Sequence, residues 1–168
     1  DKFEDRYEPV DVFIDKMGKW HILGKEIAPE KSGQHFDIAW NALHGAYGED
    51  GKIQSLFEAH GIPFTGSGSL SSAVGMNKAL TKKILEDHGI RSPYWKEALS
   101  ADIRNNIDAA VEDLFTTFLM PAVIKPAQSG SSVGVSIVRD KGDIGPALEE
   151  AIKHGDAVII EEYIPGAE

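Results

Sequence analysis

The sequence contains no cysteine, which removes disulfide frameworks, thiolate metal sites and cysteine nucleophiles together and fits a reducing compartment. Also missing is any apolar run near the ~18 residues that span a bilayer. The opening stretch DKFEDRYEPV is acidic and polar, where a secretory leader is basic and then apolar. A cytoplasmic chain with no membrane partner is the expectation. Basic residues are in deficit: 17 Lys and Arg face 27 Asp and Glu, a formal charge of −10. That field repels phosphate backbones, so no nucleic-acid partner is expected. A small anion remains admissible only where lysines and backbone N–H groups are gathered locally. The chain shows neither an internal repeat nor a low-complexity tract, and it does not start with Met. Its 168 residues suffice for one ordinary domain or two small lobes.

What is there is an alternation of apolar segments. Residues 7–15 (YEPVDVFID) and 36–43 (FDIAWNAL) read as strands, the second largely buried. A helix follows over 50–61, with Ile53, Leu56 and Phe57 at helical spacing, Asp50 as N-cap and Gly61 as stop, and then a short strand at IPFTG. Such alternation builds a parallel sheet. The small-residue stretch 66–75 (GSGSLSSAVG) marks a boundary, after which Asn77 opens a helix that Gly89 ends. Beyond it SPYWKEAL is extended, NNIDAAVEDLFTTF is helical with Ile107, Val111, Leu114 and Phe115 on one face, and PAVIKPA and GVSIVRD are strands. GDIGPALEEAIKHG is a helix and AVIIEEYI a last strand. The expectation is an α/β chain with a first domain over 1–75 and a second lobe over 76–168.

The chemistry centres on VIKPAQSGSSVGVSIV, residues 123–138. It is not a P-loop, because Lys125 precedes its glycines and a strand, not a helix, follows. A strand, a flap and a strand fit better: Gly130 and Gly134 free the backbone, and Ser129, Ser131 and Ser132 add hydroxyls suited to phosphate oxygens. From the residues alone a plain exposed hairpin with a salt-bridging lysine is about equally admissible. Lys78 stands at a helix start, where the dipole disfavours a cation unless an anion meets it, although a solvated lysine is the commoner case. Glu161 and Glu162 end an apolar strand, and Glu168 follows past Pro165 and Gly166. Carboxylates there suit ribose hydroxyls, and exposed backbone suits an adenine edge; such acids also commonly cap a solvated terminus. Trp20, Trp40 and Trp95 read as packing residues.

NALHGAYGEDGKIQSLFEAHGIPFTGSG, AVGMNKALTKKIL, AVIKPAQSGSSVGVSIV and VIIEEYIPGAE, in this order, closely resemble the D-alanine:D-alanine ligase family of the ATP-grasp superfamily, from about Tyr7 onward. The resemblance implies an incomplete N-terminal α/β domain followed by the central α+β ATP-grasp lobe. It implies ATP-dependent joining of two D-alanines through an acyl phosphate, in making peptidoglycan precursors. Lys78 and Lys125 would hold the nucleotide phosphates, and Gly130, Ser131 and Ser132 would close over them. Glu161, Glu162 and Ile164 would form the adenine-binding strand, Glu168 would hold the ribose, and His44 would lie near the first D-alanine. His44 and Ser131 are the candidate catalytic residues. Asn77 stands where the family commonly has aspartate and caps a helix equally well.

The resemblance also implies a piece of a longer enzyme, lacking a glycine-rich start and a later domain that supplies Mg²⁺ (or Mn²⁺) ligands, so no metal ligand is assigned to this chain. Alone, the piece is expected to be inactive. A homodimer is the assembly that analogy implies. Two other functions stay open: a stand-alone or partner-dependent nucleotide-binding module, and a ligase joining D-alanine to D-lactate or D-serine.

Overall fold

The computed structural model describes residues 6–166. Its strands are β1 (Val12–Ile14), β2 (Trp20–Ile22), β3 (Lys25–Ile27), β4 (Trp95–Leu99), β5 (Ala122–Pro126), β6 (Ser136–Val138) and β7 (Ala157–Glu162). The helices are α1 (Lys52–Ala59), α2 (Ser69–Met76), α3 (Lys78–Asp87), α4 (Ser100–Asn105), α5 (Ile107–Thr117) and α6 (Lys141–Ala151). No helix among the described residues is long and apolar enough to cross a membrane. The backbone divides into two compact units between Ser71 and Ser72.

In the first unit β1, β2 and β3 form an antiparallel meander. The middle strand buries Trp20 and Ile22 and turns Trp20 onto α1, where its ring meets Phe57 edge-on at 6.2 Å. Trp20, Ile53, Phe57 and Ile62 make this unit's core, with Phe36, Ala39 and Phe64 packed against it. The expected buried strand over 36–43 is not formed. Its parallel pairing is confined to a bridge between Ala39 and Phe64, and Trp40 is 83% exposed. Parallel pairing gains less per residue and persists where both faces are covered, and here Ile38 and Trp40 are left in solvent. Nor is 66–75 simply a connector, because α2 starts within it. The carboxylate of Glu58 accepts the N–H and the hydroxyl of Ser69, at 2.8 and 2.5 Å, and so supplies the negative charge that a helix N-terminus favours.

In the second unit four antiparallel strands run in the order β4-β7-β5-β6. Strand alternation decides the rest. Val158 and Ile160 of β7 join Ala122 and Ile124 of β5 in the core beneath α5 and α6, with Leu114, Ile144 and Leu148. Ile159, one residue out of phase, belongs to the opposite face with Ala79 of α3, Ala127 and Trp95. Glu161 lies two residues beyond Ile159, and Lys125 is the register partner of Ile159. The face that α3 covers is therefore the face that carries the charged groups.

Candidate nucleotide-binding site

Asn77 starts α3 by accepting the Leu80 N–H on its side chain at 3.0 Å. The next residue, Lys78, is tied to the neighbouring strand end by its own N–H, which donates to Ala127 O at 3.0 Å. Its ammonium reaches the root of the β5–β6 flap and donates to Ser129 O at 2.5 Å. One helical turn on, Lys82 places its ammonium 2.8 Å from Oε2 of Glu161, an ion pair outside the alignment of a hydrogen bond. Lys125 donates to the other oxygen, Oε1, of the same carboxylate. Glu161 is only 8% exposed, and the Lys82 and Lys125 side chains are 11% and 19% exposed.

Two ammonium groups thus pair with one carboxylate, and a third, that of Lys78, lies near enough to feel its charge, in a chain whose net charge is −10. Burial, and after it the like charge of Lys125, holds the Lys78 ammonium below the ordinary lysine value, with Glu161 pulling the other way. Burial pushes the Glu161 carboxyl up, but the hydrogen bond and charge of Lys125 and the pairing with Lys82 outweigh it. The carboxyl is held below the ordinary glutamate value. A buried lysine beside a second lysine is costly to keep charged, and a bound anion would favour its charged form.

The flap joins β5 to β6 in antiparallel register. Its tip is a tight turn in which Val133 N–H returns to Gly130 O at 3.1 Å. The two central residues, Ser131 and Ser132, have φ of 50° and 56°. Both signs match a type I′ turn, a geometry that usually takes Asn and Gly. The left-handed positions expected at Gly130 and Gly134 therefore fall at Ser131, Ser132 and Gly134. Gly134 has a steric reason as well. At φ +70° a Cβ there would lie 2.8 Å from Pro126 Cγ and 2.8 Å from His154 Cδ2.

The sequence-derived candidates separate. Lys78, Lys125 and Glu161 come together, with the flap residues Gly130, Ser131 and Ser132 projecting beyond them, exposed. Glu162 faces the other way: its carboxylate accepts the Tyr94 N–H at 3.0 Å, and its own N–H donates to Tyr94 O. Ile164 lies past the strand end and is 60% exposed. Glu168 lies outside the described residues. His44 is in the first unit, its ring exposed and Nδ1 4.0 Å from Glu49 Oε1. Asp50, expected as the N-cap of α1, lies one residue short of it: Gly51 holds that position, and the Asp50 carboxylate accepts the N–H groups of Tyr47 and Lys52 at 2.9 and 3.1 Å. Sequence reasoning passed over Lys82. The signal was available, since Lys78 and Lys82 are four apart and share a helix face.

Residues 84–168 match the family profile described as D-ala D-ala ligase C-terminus, and residues 23–67 match the one described as D-ala D-ala ligase N-terminus. The chain is 40% identical over 145 residues to a D-alanine–D-alanine ligase of Syntrophotalea carbinolica, a stretch that covers 86% of this chain and 45% of that protein. Among solved structures, the D-alanine–D-alanine ligase of Coxiella burnetii superposes with a TM-score of 0.76 at 26% identity, covering 92% of this chain and 53% of that one. The VanG D-Ala:D-Ser ligase of Enterococcus faecalis gives 0.70 at 32% identity, covering 98% and 46%. The chain spans about 45% of the length of the curated relatives it matches.

Proposed function

The chain belongs to the D-alanine–D-alanine ligase family, and from that premise we propose that it carries the phosphate-holding lobe of an enzyme that joins two D-alanines at the expense of ATP. The observation that carries the reading is the cluster of Lys78, Lys82 and Lys125 about Glu161, beneath a serine-rich flap. Phosphoryl transfer asks a protein for positioning and charge neutralisation more than for covalent chemistry, and lysines set on a helix and a strand provide both.

In this reading the carboxylate of the first D-alanine attacks the γ-phosphorus of ATP. The bond to the β,γ-bridging oxygen breaks, ADP leaves, and an acyl phosphate remains. The amine of the second D-alanine then attacks the acyl carbon, inorganic phosphate leaves with the C–O electron pair, and the amine gives up a proton. Lys78 and Lys125 hold the phosphate oxygens and offset their growing charge. Ser131 and Ser132 close over the polyphosphate and exclude water. The backbone past β7, around Glu162 and Ile164, receives the adenine edge, and Glu168 the ribose. His44 meets the first D-alanine.

Among the described residues no group of three His, Cys, Asp or Glu side chains assembles that could hold a metal ion, and no step here is routed through one. The dipeptide product suits peptidoglycan precursor synthesis in the cytoplasm, and a homodimer is proposed by analogy with the family. A second reading, joining D-alanine to D-serine, draws support from the likeness to the Enterococcus faecalis D-Ala:D-Ser ligase.

The test is phosphate release by the full-length gene product with MgATP and D-alanine, alone and with D-serine or D-lactate added, with products identified by mass. Formation of D-alanyl-D-alanine supports the first reading, and the mixed dipeptide the second. Nucleotide binding with no ligation in any mixture leaves only a binding module.

A further inference from the structure

Lys82 is enclosed more tightly than Lys125, one of the two lysines assigned to phosphate. Its side chain is 11% exposed, and its ammonium lies 6.0 Å from the centre of the Trp95 ring. Among the described residues Glu161 is its acidic partner. Lys125, by contrast, is 19% exposed and is the second-last residue of β5, where the flap begins.

Glu161 is shared between the two, with Oε1 taken by Lys125 and Oε2 facing Lys82. A polyphosphate that draws Lys125 outward takes one of these counter-charges away. A carboxylate as buried as Glu161 is strongly disfavoured once left unpaired, so Lys125 would resist leaving. Lys82 removes that resistance, because it is held on α3 against an indole face and keeps Glu161 paired. We propose that Lys82 is a positioning residue: it retains Glu161 so that Lys125 can exchange that carboxylate for nucleotide phosphate. This rests on the nucleotide-binding reading above.

The test is calorimetric titration of the full-length gene product with the magnesium complex of a non-hydrolysable ATP analogue. Lys82→Gln is expected to weaken binding by about tenfold or more, and Lys82→Arg to recover binding to within about threefold of the unmodified protein. In a Glu161→Gln background, where no carboxylate needs retaining, removing Lys82 is expected to change affinity by less than about twofold. A lysine with a purely structural role would lower melting temperature without this dependence on Glu161.

Wild-type affinity in Lys82→Gln overturns the proposal, as does an undiminished loss in the Glu161→Gln background. Should Glu161→Gln fail to fold, the lysine variants decide, and Lys82→Arg binding as weakly as Lys82→Gln overturns the idea. Failure of the unmodified protein to bind the analogue sinks the nucleotide reading and Lys82's role with it. Binding by the unmodified protein and equally by Lys82→Gln sinks the role of Lys82 alone.

Discussion

Trp95 and Glu161 are register partners across β4 and β7, so the indole and the carboxylate stand side by side on the face that α3 covers. Lys82 lies between them, 2.8 Å from the carboxylate and 6.0 Å from the ring centre. A single register pair thereby places an aromatic wall and an anion where a helix delivers a cation.

Lys125→Ala in the full-length protein is expected to cost about 100-fold in kcat/KM for ATP, since one preorganised charge opposite the phosphates is lost. Circular dichroism should be unchanged, because the side chain contributes little to the core beneath α5 and α6. Wild-type turnover and KM would remove Lys125 from the site.

Nucleotide affinity should depend on alkaline pH through Lys78. Its folded-state value lies below the ordinary 10.5, so its charge is lost earlier than an ordinary lysine's as pH rises. A bound polyphosphate favours the charged form and raises that value, so binding takes up a proton in this range. Titrations from neutral to alkaline pH should show affinity falling on the acidic side of 10.5, and Lys78→Arg should abolish that fall. A flat profile would mean that Lys78 does not face the ligand.

Glu161 contributes in the opposite pH range. Its carboxyl is held below the ordinary 4.5, so its stabilisation is complete above that value and is lost as pH falls through the lower, folded-state one. Glu161→Gln should lower stability at neutral pH by about 3 kcal/mol, because it leaves two enclosed ammonium groups unpaired. It should also flatten the acid limb of a denaturation profile. An acid limb that is unchanged in the variant would assign that limb to other carboxylates.

The flap tip makes a prediction about strain. Two serines in the left-handed region cost about 1 kcal/mol each, so Ser131→Asn with Ser132→Gly should raise the unfolding midpoint. Gly134→Ala should lower stability by about 2 kcal/mol and the midpoint with it, from its positive φ and the close approach to Pro126 and His154. Equal effects of the two changes would argue against the turn geometry.

In the first unit Trp20 and Trp40 should separate cleanly. Trp20→Ala is expected to cost about 3 kcal/mol, since it empties the space against Phe57. Trp40→Ala, at a position 83% exposed, should leave the melting temperature nearly unchanged.

Apart from the short helix α4, which the sequence reading passed over, the elements of the second unit were legible because their signals are local. Asn77 and Gly89 bracket α3, the apolar face of α5 repeats at helical spacing, and β5 and β7 are β-branched runs. Lys78 and Lys125 stood out for the same reason, each at an element's end beside a motif. The first unit was harder to read. FDIAWNAL alternates as a strand should, yet whether such a segment pairs depends on what lies beside it in space.

From sequence alone came the order of the elements, the lysines at their ends, the serine-rich flap and the family. Tertiary structure alone decided which lysines share a carboxylate. The two-residue alternation of β7 sends Glu161 to the α3 face and Glu162 to the other. The β5 register brings Lys125 to the same carboxylate, and the pitch of α3 adds Lys82. Charge complementarity of this kind depends on distances across strands far apart in the chain. No local pattern of residues records those distances.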